Sequence, residues 1–237
     1  MLWVAAQSAQ PIIRPETPGD HRSIRELVAA AFGSDAEALL VDRIRSSPEC
    51  VPELALVAEI DGQITGHVMI SYARLRNDRT ERAISMLSPL AVLPPHQRVG
   101  IGFALVNAAL AVAEARSEPL VILEGDPAYY GRLGFEHSQQ YGIEIHLPNW
   151  APPEAAQVKL LNAFDPDDPS LRGTVIYPTA FDGLEYLRLT LRSHAPCDAS
   201  ASRRSGTPVA RLAARVLGHA AVSFCVVRSV GITRQDG

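Results

Sequence analysis

Near the start of the chain, apolar residues recur with the spacing of an amphipathic helix. This spacing predicts a helix over residues 21–32, with Asp20 as its N-cap and Gly33 at its end. Ser34 follows at once and is placed to cap a second helix, because a serine hydroxyl accepts hydrogen bonds from the first free amides. A short strand over residues 11–15 precedes both helices.

The pattern then changes to one that is typical of strands. Residues 54–60 are mostly apolar and end in Asp61-Gly62, a strong signal for a tight hairpin turn. The return strand is predicted over residues 64–75, and a turn at residues 77–79 leads into a third long strand over 82–93. These three strands are expected to pair antiparallel, because short turns join them.

A third helix is predicted over residues 101–115 and is apolar almost all round, so it should be buried on a sheet. The continuously apolar residues 119–123 predict a central strand. Asp126 is expected to cap a short helix that ends at Gly134, and Phe135 to begin another strand. Further short strands are predicted at residues 143–147, 158–161 and 175–177. This order favours an α/β fold of the α+β mixed type, with a mixed sheet and helices on both faces.

Composition divides the chain into a folded part and a basic end. Hydrophobic residues make up 47% of the 237 residues, and the net charge is −4, so neither nucleic acid nor an anionic membrane is an expected partner. Residues 188–237 carry eight Arg and two Asp, a charge of +6, which leaves −10 for the rest. We therefore predict a flexible leader over residues 1–10, one domain over 11–187 and a flexible basic extension over 188–237.

The cysteines and the first residues suggest a location in the cell. Three widely spaced cysteines form no metal-ligand or disulfide pattern, which indicates a reduced protein. The first residues lack the features of a signal peptide, and no stretch approaches the ~18 apolar residues of a membrane span. We predict a cytoplasmic protein without a metal. His67 and His96 belong to no cluster of ligands and are expected to lie in packing or surface positions.

The segment Gln97-Arg98-Val99-Gly100-Ile101-Gly102 lies between a strand and a helix and has the chemistry of an anion cradle. Its glycines allow a close approach to the backbone, and the helix start offers unpaired amides and the positive end of its dipole. A pyrophosphate suits such a site, with Arg98 as a further contact. A dinucleotide fingerprint fails because residue 105 is Leu, and a phosphate loop fails because Lys159 is the only lysine. A tight turn without a ligand remains the alternative.

Two motifs together resemble those of a known superfamily. Gln97-x-x-Gly100-x-Gly102 is similar to the Gln/Arg-x-x-Gly-x-Gly/Ala signature of the GNAT N-acetyltransferases. The segment from Tyr130 to Phe135 resembles the Tyr-x-x-x-Gly-Phe element of that superfamily. The sequence of residues 125–130 resembles that of the YhbS-like branch most. The resemblance covers residues 11–185, and it implies a GNAT-like central sheet that is mixed and mainly antiparallel.

The resemblance also implies a co-substrate, acetyl-CoA, bound in a gap between the fourth and fifth strands. Backbone groups of the fourth strand should pair with the pantetheine arm like an added strand. The turn and the start of the helix should hold the pyrophosphate. The cofactor-binding residues implied in this way are Leu90, Ala91, Val92, Gln97, Arg98, Val99, Gly100, Ile101, Gly102 and Phe103.

The resemblance implies a general acid but does not identify the base. Tyr130 aligns with the tyrosine that returns a proton to the leaving thiolate, and a packing aromatic is the alternative. A carboxylate base is common on the fourth strand of family members, but this strand has none after Glu81. Glu124 and Asp126 are spare candidates, although Asp126 first suits a helix cap. A water relay, or an amine that arrives partly deprotonated, would also serve.

These features imply an N-acetyltransferase that acts on a primary amine by direct attack in a ternary complex. A catalytically weak acyl-CoA-binding module is the alternative, because the strand carboxylate is missing. The acceptor is a small-molecule or protein amine, and the acidic body favours a cationic one. The basic extension is either without a specific role, a binder of nucleic acid or another acidic surface, or the source of an added strand. The sequence does not specify the oligomeric state.

Overall fold

The computed structural model describes residues 10–183. Its helices are α1 (His21–Phe32), α2 (Asp35–Arg45), α3 (Ile101–Ala115) and the short α4 (Pro127–Tyr130). Helices α1 and α3 have the bounds that the hydrophobic periodicity and the capping residues predict, and α2 begins directly after its predicted cap, Ser34. The predicted leader, apart from Gln10, and the predicted basic extension lie outside the described residues.

The ends of the first two helices show which cap predictions are confirmed. Gly33 ends α1 in the left-handed conformation, with φ of 65°. The hydroxyl of Ser34 accepts a hydrogen bond from the amide of Ala36 at 3.0 Å and so caps α2. The prediction for Asp20 was wrong. Its carboxylate accepts hydrogen bonds at 2.7 and 3.0 Å from the guanidinium of Arg14, so it is not available to the amides of α1.

Nine strands form one sheet in the described part of the chain. They are β1 (Ile12–Pro15), β2 (Cys50–Ile60), β3 (Gln63–Arg76), β4 (Glu81–Val92), β5 (Leu120–Glu124), β6 (Glu136–His137), β7 (Ile143–Glu144), β8 (Ala156–Leu160) and β9 (Gly173–Ile176). The main order is β1-β2-β3-β4-β5-β8-β6, and β9 joins β7 to β3. All pairs are antiparallel except β4–β5 and β7–β9.

Helices cover both faces of this sheet, as predicted. Alternate residues of each strand point to opposite faces, so one strand contributes to two cores. Met69 of β3 packs in the core with Leu27 of α1 and with α2. Its neighbour Val68 packs on the other face, in the core that contains Leu105 and Ala109 of α3. The predicted mixed, mainly antiparallel sheet is therefore confirmed.

The two central strands of the sheet, β4 and β5, are hydrogen-bonded to each other over a very short distance. β4 and β5 run parallel and pair only at Ser85–Val121 and Met86–Ile122. Beyond these pairs the strands part, and β5 pairs along its whole length with β8 on its other side. The sheet therefore has an opening that begins just after Met86.

Membrane crossing is not indicated by the helices. Between residues 10 and 183, none of the helices is both long enough and apolar enough to span a bilayer.

Candidate active site

A cleft of about 770 Å³ lies between the end of β4, the start of α3 and the residues that follow β5. Eight of the ten predicted cofactor-binding residues line it. They are Leu90, Ala91, Val92, Gln97, Arg98, Gly100, Gly102 and Phe103. The other two, Val99 and Ile101, do not: the side chain of Val99 is exposed and that of Ile101 is buried in the core against the sheet.

The backbone at the mouth of the cleft has an unusual conformation. Arg98 and Gly100 both have positive φ, 65° and 95°, and Gly100 is the residue before α3. Ala104 donates its amide to the carbonyl of Gly100 at 3.0 Å. The amides before Ala104, those of residues 101–103, thus precede the first helical bond, and α3 has no side-chain cap among the described residues. Such free amides at the positive end of a helix dipole form an anion site.

Gln97 has a role in the loop that the sequence did not indicate. Its side-chain amide donates to the carbonyl of Val92 at 2.9 Å. This bond ties the glycine-rich turn back to the end of β4. Gln97 therefore helps to hold the turn in place, and any direct contact of its side chain with a phosphate stays a prediction.

Gly102 is a point of close approach between α3 and the opposite wall of the cleft. A Cβ atom on this residue would lie 2.7 Å from the hydroxyl oxygen of Tyr129, which is closer than van der Waals contact permits. Tyr129 lines the cleft, and burial raises the pKa of its phenol while the charge of Arg132 opposes this rise. The guanidinium of Arg132 lies 5.6 Å from the ring centre of Phe103. Together with Arg98 it places two positive charges along the cleft.

Tyr130 lies beside the cleft, behind Tyr129. It is 1% exposed and contacts the rings of Tyr129 and Phe135 edge-on, with centroids 4.9 and 5.7 Å away. A Cβ atom on Gly125 would approach the ring of Tyr130 to 2.3 Å, so this ring packs against the backbone at the exit of β5. Its role as a proton donor stays a prediction.

Carboxylates near the opening come from the end of β5. Asp126 lines the cleft and caps α4, as predicted, by accepting from the amide of Ala128 at 2.9 Å. Glu124 is 4% exposed and accepts a hydrogen bond from the hydroxyl of Tyr177. Glu81 is at the far end of β4, where Arg76 binds it at 2.7 Å.

The two histidines considered from the sequence do not line the cleft, and His67 is fully buried. Within residues 10–183, His, Cys, Asp and Glu side chains form no group that would hold a metal ion.

Seven further residues line the cleft, and of these only Asp126 was considered from the sequence, as a spare candidate for the base. They are Ala31, Phe32, Ala104, Asn107, Asp126, Tyr129 and Arg132. Ala104 lies four residues after Gly100 and Asn107 four after Phe103, so helical periodicity was a usable signal for these two. Ala31 and Phe32 come from the end of α1, and no local signal marks them.

Comparison with known proteins identifies the family. The acetyltransferase (GNAT) domain matches residues 12–138, which is 127 of the 237 residues. The chain belongs to the GNAT acetyltransferase family. This GNAT chain is 33% identical over 138 residues to the uncharacterized N-acetyltransferase YhbS of Escherichia coli K12, over 58% of its own length and 80% of that of YhbS. It is 32% identical over 117 residues to the uncharacterized N-acetyltransferase YjhQ of the same strain, over 49% of its length but only 65% of that of YjhQ.

Solved structures of the family agree with this assignment. The crystal structure of YhbS from Escherichia coli in complex with CoA is 30% identical to this GNAT chain, with a TM-score of 0.62. The similarity covers 73% of this chain and 92% of that one. A GNAT acetyltransferase from Brucella melitensis in complex with acetyl-CoA is 32% identical, with a TM-score of 0.58, over 73% and 98% of the two chains. The predicted membership of the YhbS-like branch is confirmed.

Proposed function

We propose that this protein transfers the acetyl group of acetyl-CoA to a primary amine. The observation that carries the proposal is the cleft between the end of β4, the start of α3 and the residues after β5, with the free amides of α3 at its mouth. The similar proteins with CoA and acetyl-CoA bound support the choice of co-substrate. A nucleotide pyrophosphate is the kind of anion that such a helix end binds.

Acetyl-CoA would enter this cleft with its pyrophosphate on the amides of residues 101–103 and the guanidinium of Arg98 beside it. Its pantetheine arm would run along residues 90–92 of β4, where the opening leaves strand backbone without a partner on the β5 side. The thioester would then reach the narrow part of the opening, near Met86. The amine attacks the carbonyl carbon there, in a ternary complex of protein and both substrates.

Calorimetry with acetyl-CoA and release of the CoA thiol test this function. The wild-type protein should bind acetyl-CoA and release CoA in the presence of an amine from a panel of diamines, amino sugars and peptides with a free N-terminus. Cationic amines should be favoured, because the first 187 residues carry a charge of −10. Binding without turnover for any amine would favour the alternative, an acyl-CoA-binding module. No binding at all would refute both.

Replacing Tyr130 by phenylalanine should lower kcat by about 100-fold or more, because the leaving thiolate loses its proton donor. The dissociation constant of acetyl-CoA should stay within about twofold, since the ring of Tyr130 is buried and does not line the cleft. Steady-state kinetics and calorimetry separate these two effects. Tyr141→Phe, outside the cleft, is the matched control. A loss of kcat in Tyr129→Phe, together with an unchanged kcat in Tyr130→Phe, would identify Tyr129 as the proton donor instead.

A further inference from the structure

The inner end of the opening between β4 and β5 is a small pocket of about 10 Å³, which is the space of one water molecule. It lies between Met86–Ser88 of β4 and Ile122–Glu124 of β5, next to the last paired residues of the two strands. Tyr177 and Phe181 line this pocket on the side of α1 and α2. This is the innermost point that a thioester lying along β4 would reach.

Glu124 is the carboxylate at this point, and the strand geometry decides its direction. Ile122 packs in the core with α1 and α2, whereas Leu123 packs in the core with α3. Because side chains alternate along a strand, Glu124 points to the same face as Ile122. Tyr130 belongs to the core on the α3 face. Glu124 and Tyr130 thus lie at the opening on opposite faces of the sheet.

The position of Glu124 is fixed by its neighbours. The hydroxyl of Tyr177 donates to one carboxylate oxygen of Glu124. The next residue, Gly125, donates its amide to the carbonyl of Ala155 at 2.9 Å and accepts at 3.0 Å from the side chain of Gln157. A base works well only when its position is fixed by such surrounding contacts.

We propose that Glu124 is the general base that deprotonates the acceptor amine, and that Tyr177 is a positioning residue for it. The inference rests on the proposed acetyl transfer. In this arrangement the amine approaches on the face of the sheet that α1 and α2 cover, and the thiolate leaves on the face that α3 covers. The arrangement also gives the chain a carboxylate base although β4 has none next to the opening.

The proton balance follows from this arrangement. Glu124 takes one proton from the ammonium form of the acceptor, and the neutral nitrogen forms a bond with the carbonyl carbon. The carbon–sulfur bond breaks, and the sulfur gains the second proton of the amine by way of Tyr130. The products are the acetamide, the CoA thiol and one proton on Glu124, which passes to solvent.

Glu124→Gln keeps the shape of the side chain and removes the base. For putrescine, glucosamine and a tripeptide with a free N-terminus, kcat/KM should fall by about 100- to 1,000-fold. With methoxyamine, which is uncharged at neutral pH and needs no deprotonation before it attacks, kcat/KM should fall less than threefold. The dissociation constant of acetyl-CoA should not change. The acidic limb of the pH profile for putrescine should disappear.

Glu118→Gln is the matched control, since Glu118 is also buried and also accepts from a tyrosine, at 2.6 Å from Tyr72. It lies six residues before Glu124, about 20 Å away along an extended chain, so it should keep full activity. In Tyr177→Phe the acidic limb should move to higher pH, because a hydrogen bond to the charged carboxylate is lost.

Three results would overturn the assignment of Glu124. One is a kcat/KM of Glu124→Gln within threefold of wild type for all three amines. Another is an equal loss for methoxyamine and for the three amines, which would indicate a role in orientation only. The third is a wild-type protein that binds acetyl-CoA but acetylates none of these probes. A wild-type protein that does not bind acetyl-CoA would instead refute the proposed function.

Discussion

Replacing Glu16 by alanine should lower the free energy of unfolding by about 3–5 kcal/mol, because it leaves buried charged and polar partners without their acceptor. The side chain of Glu16 is 8% exposed. It accepts hydrogen bonds from Arg45 at 2.7 and 3.2 Å, and it lies 2.9 Å from Nε2 of His67. His67 is fully buried, and only 15% of the Arg45 side chain is exposed, so water can replace few of the hydrogen bonds that these residues lose.

The same cluster should make the protein sensitive to acid. Burial by itself raises the pKa of Glu16, but hydrogen bonds from His67 and Arg45 outweigh it and lower the pKa from 4.5 to about 2. Burial lowers the pKa of His67 below its usual 6.5, which Glu16 partly opposes. Both groups bind fewer protons in the folded state than in the unfolded state. Both groups contribute their full stabilisation above about pH 6.5. As the pH falls, the contribution of His67 is lost first, and that of Glu16 is lost between about pH 4.5 and 2.

Urea unfolding of wild type and Glu16→Ala between pH 3 and pH 7 measures both effects. The variant should be less stable at pH 7, and its stability should vary less with pH below 4.5. Glu26→Ala is the control, because Glu26 forms only an exposed pair with Arg22, and its loss should cost less than about 0.5 kcal/mol. A Glu16→Ala protein as stable as this control would contradict the assigned role.

Replacing Gly102 by valine should weaken acetyl-CoA binding at least 100-fold, about 3 kcal/mol. The first added atom would lie 2.7 Å from the hydroxyl of Tyr129 and 3.5 Å from Val92, so the branched side chain would fill the cleft where α3 meets β4. The helix itself should tolerate the change, since valine is no worse than glycine in a helix. Calorimetry with acetyl-CoA and thermal unfolding measure the two effects separately.

Ala111→Val is the matched control, because Ala111 is exposed on the same helix. It should bind acetyl-CoA as the wild type does. A smaller change tests the cause: Gly102→Ala should weaken binding, and adding Tyr129→Phe should restore part of it by removing the hydroxyl that the new methyl group meets. Unchanged affinity in Gly102→Val would show that the co-substrate does not pass this point.

Local sequence patterns predicted much of the lining of the cleft. Gly100 and Gly102 are needed for backbone reasons that act over a few residues, a positive φ at the first and close packing at the second. Helix propensity and caps likewise act locally, which is why the bounds of α1 and α3 followed from the pattern. The cap at Asp20 was predicted wrongly, because the salt bridge from Arg14 depends on how the chain enters α1.

The proposed base and the cluster around Glu16 both depend on contacts that the sequence does not encode locally. Tyr177 meets Glu124 across 53 positions of the chain, and Glu16 meets His67 across 51. Phe32 reaches the cleft only because α1 packs on the sheet beside β4. No periodicity or motif marks these pairs, since each depends on which strands are neighbours.

The sequence by itself determined the family, the order of elements and the loop from Gln97 to Gly102, because motifs and hydrophobic periods are properties of neighbouring residues. Only the tertiary structure decided that β4 and β5 part after Met86, that Tyr129 rather than Tyr130 lines the cleft, and that Glu124 points to the face of α1 and α2. These facts follow from strand pairing and from which face of a strand each side chain takes. Both are fixed by burial against distant parts of the chain.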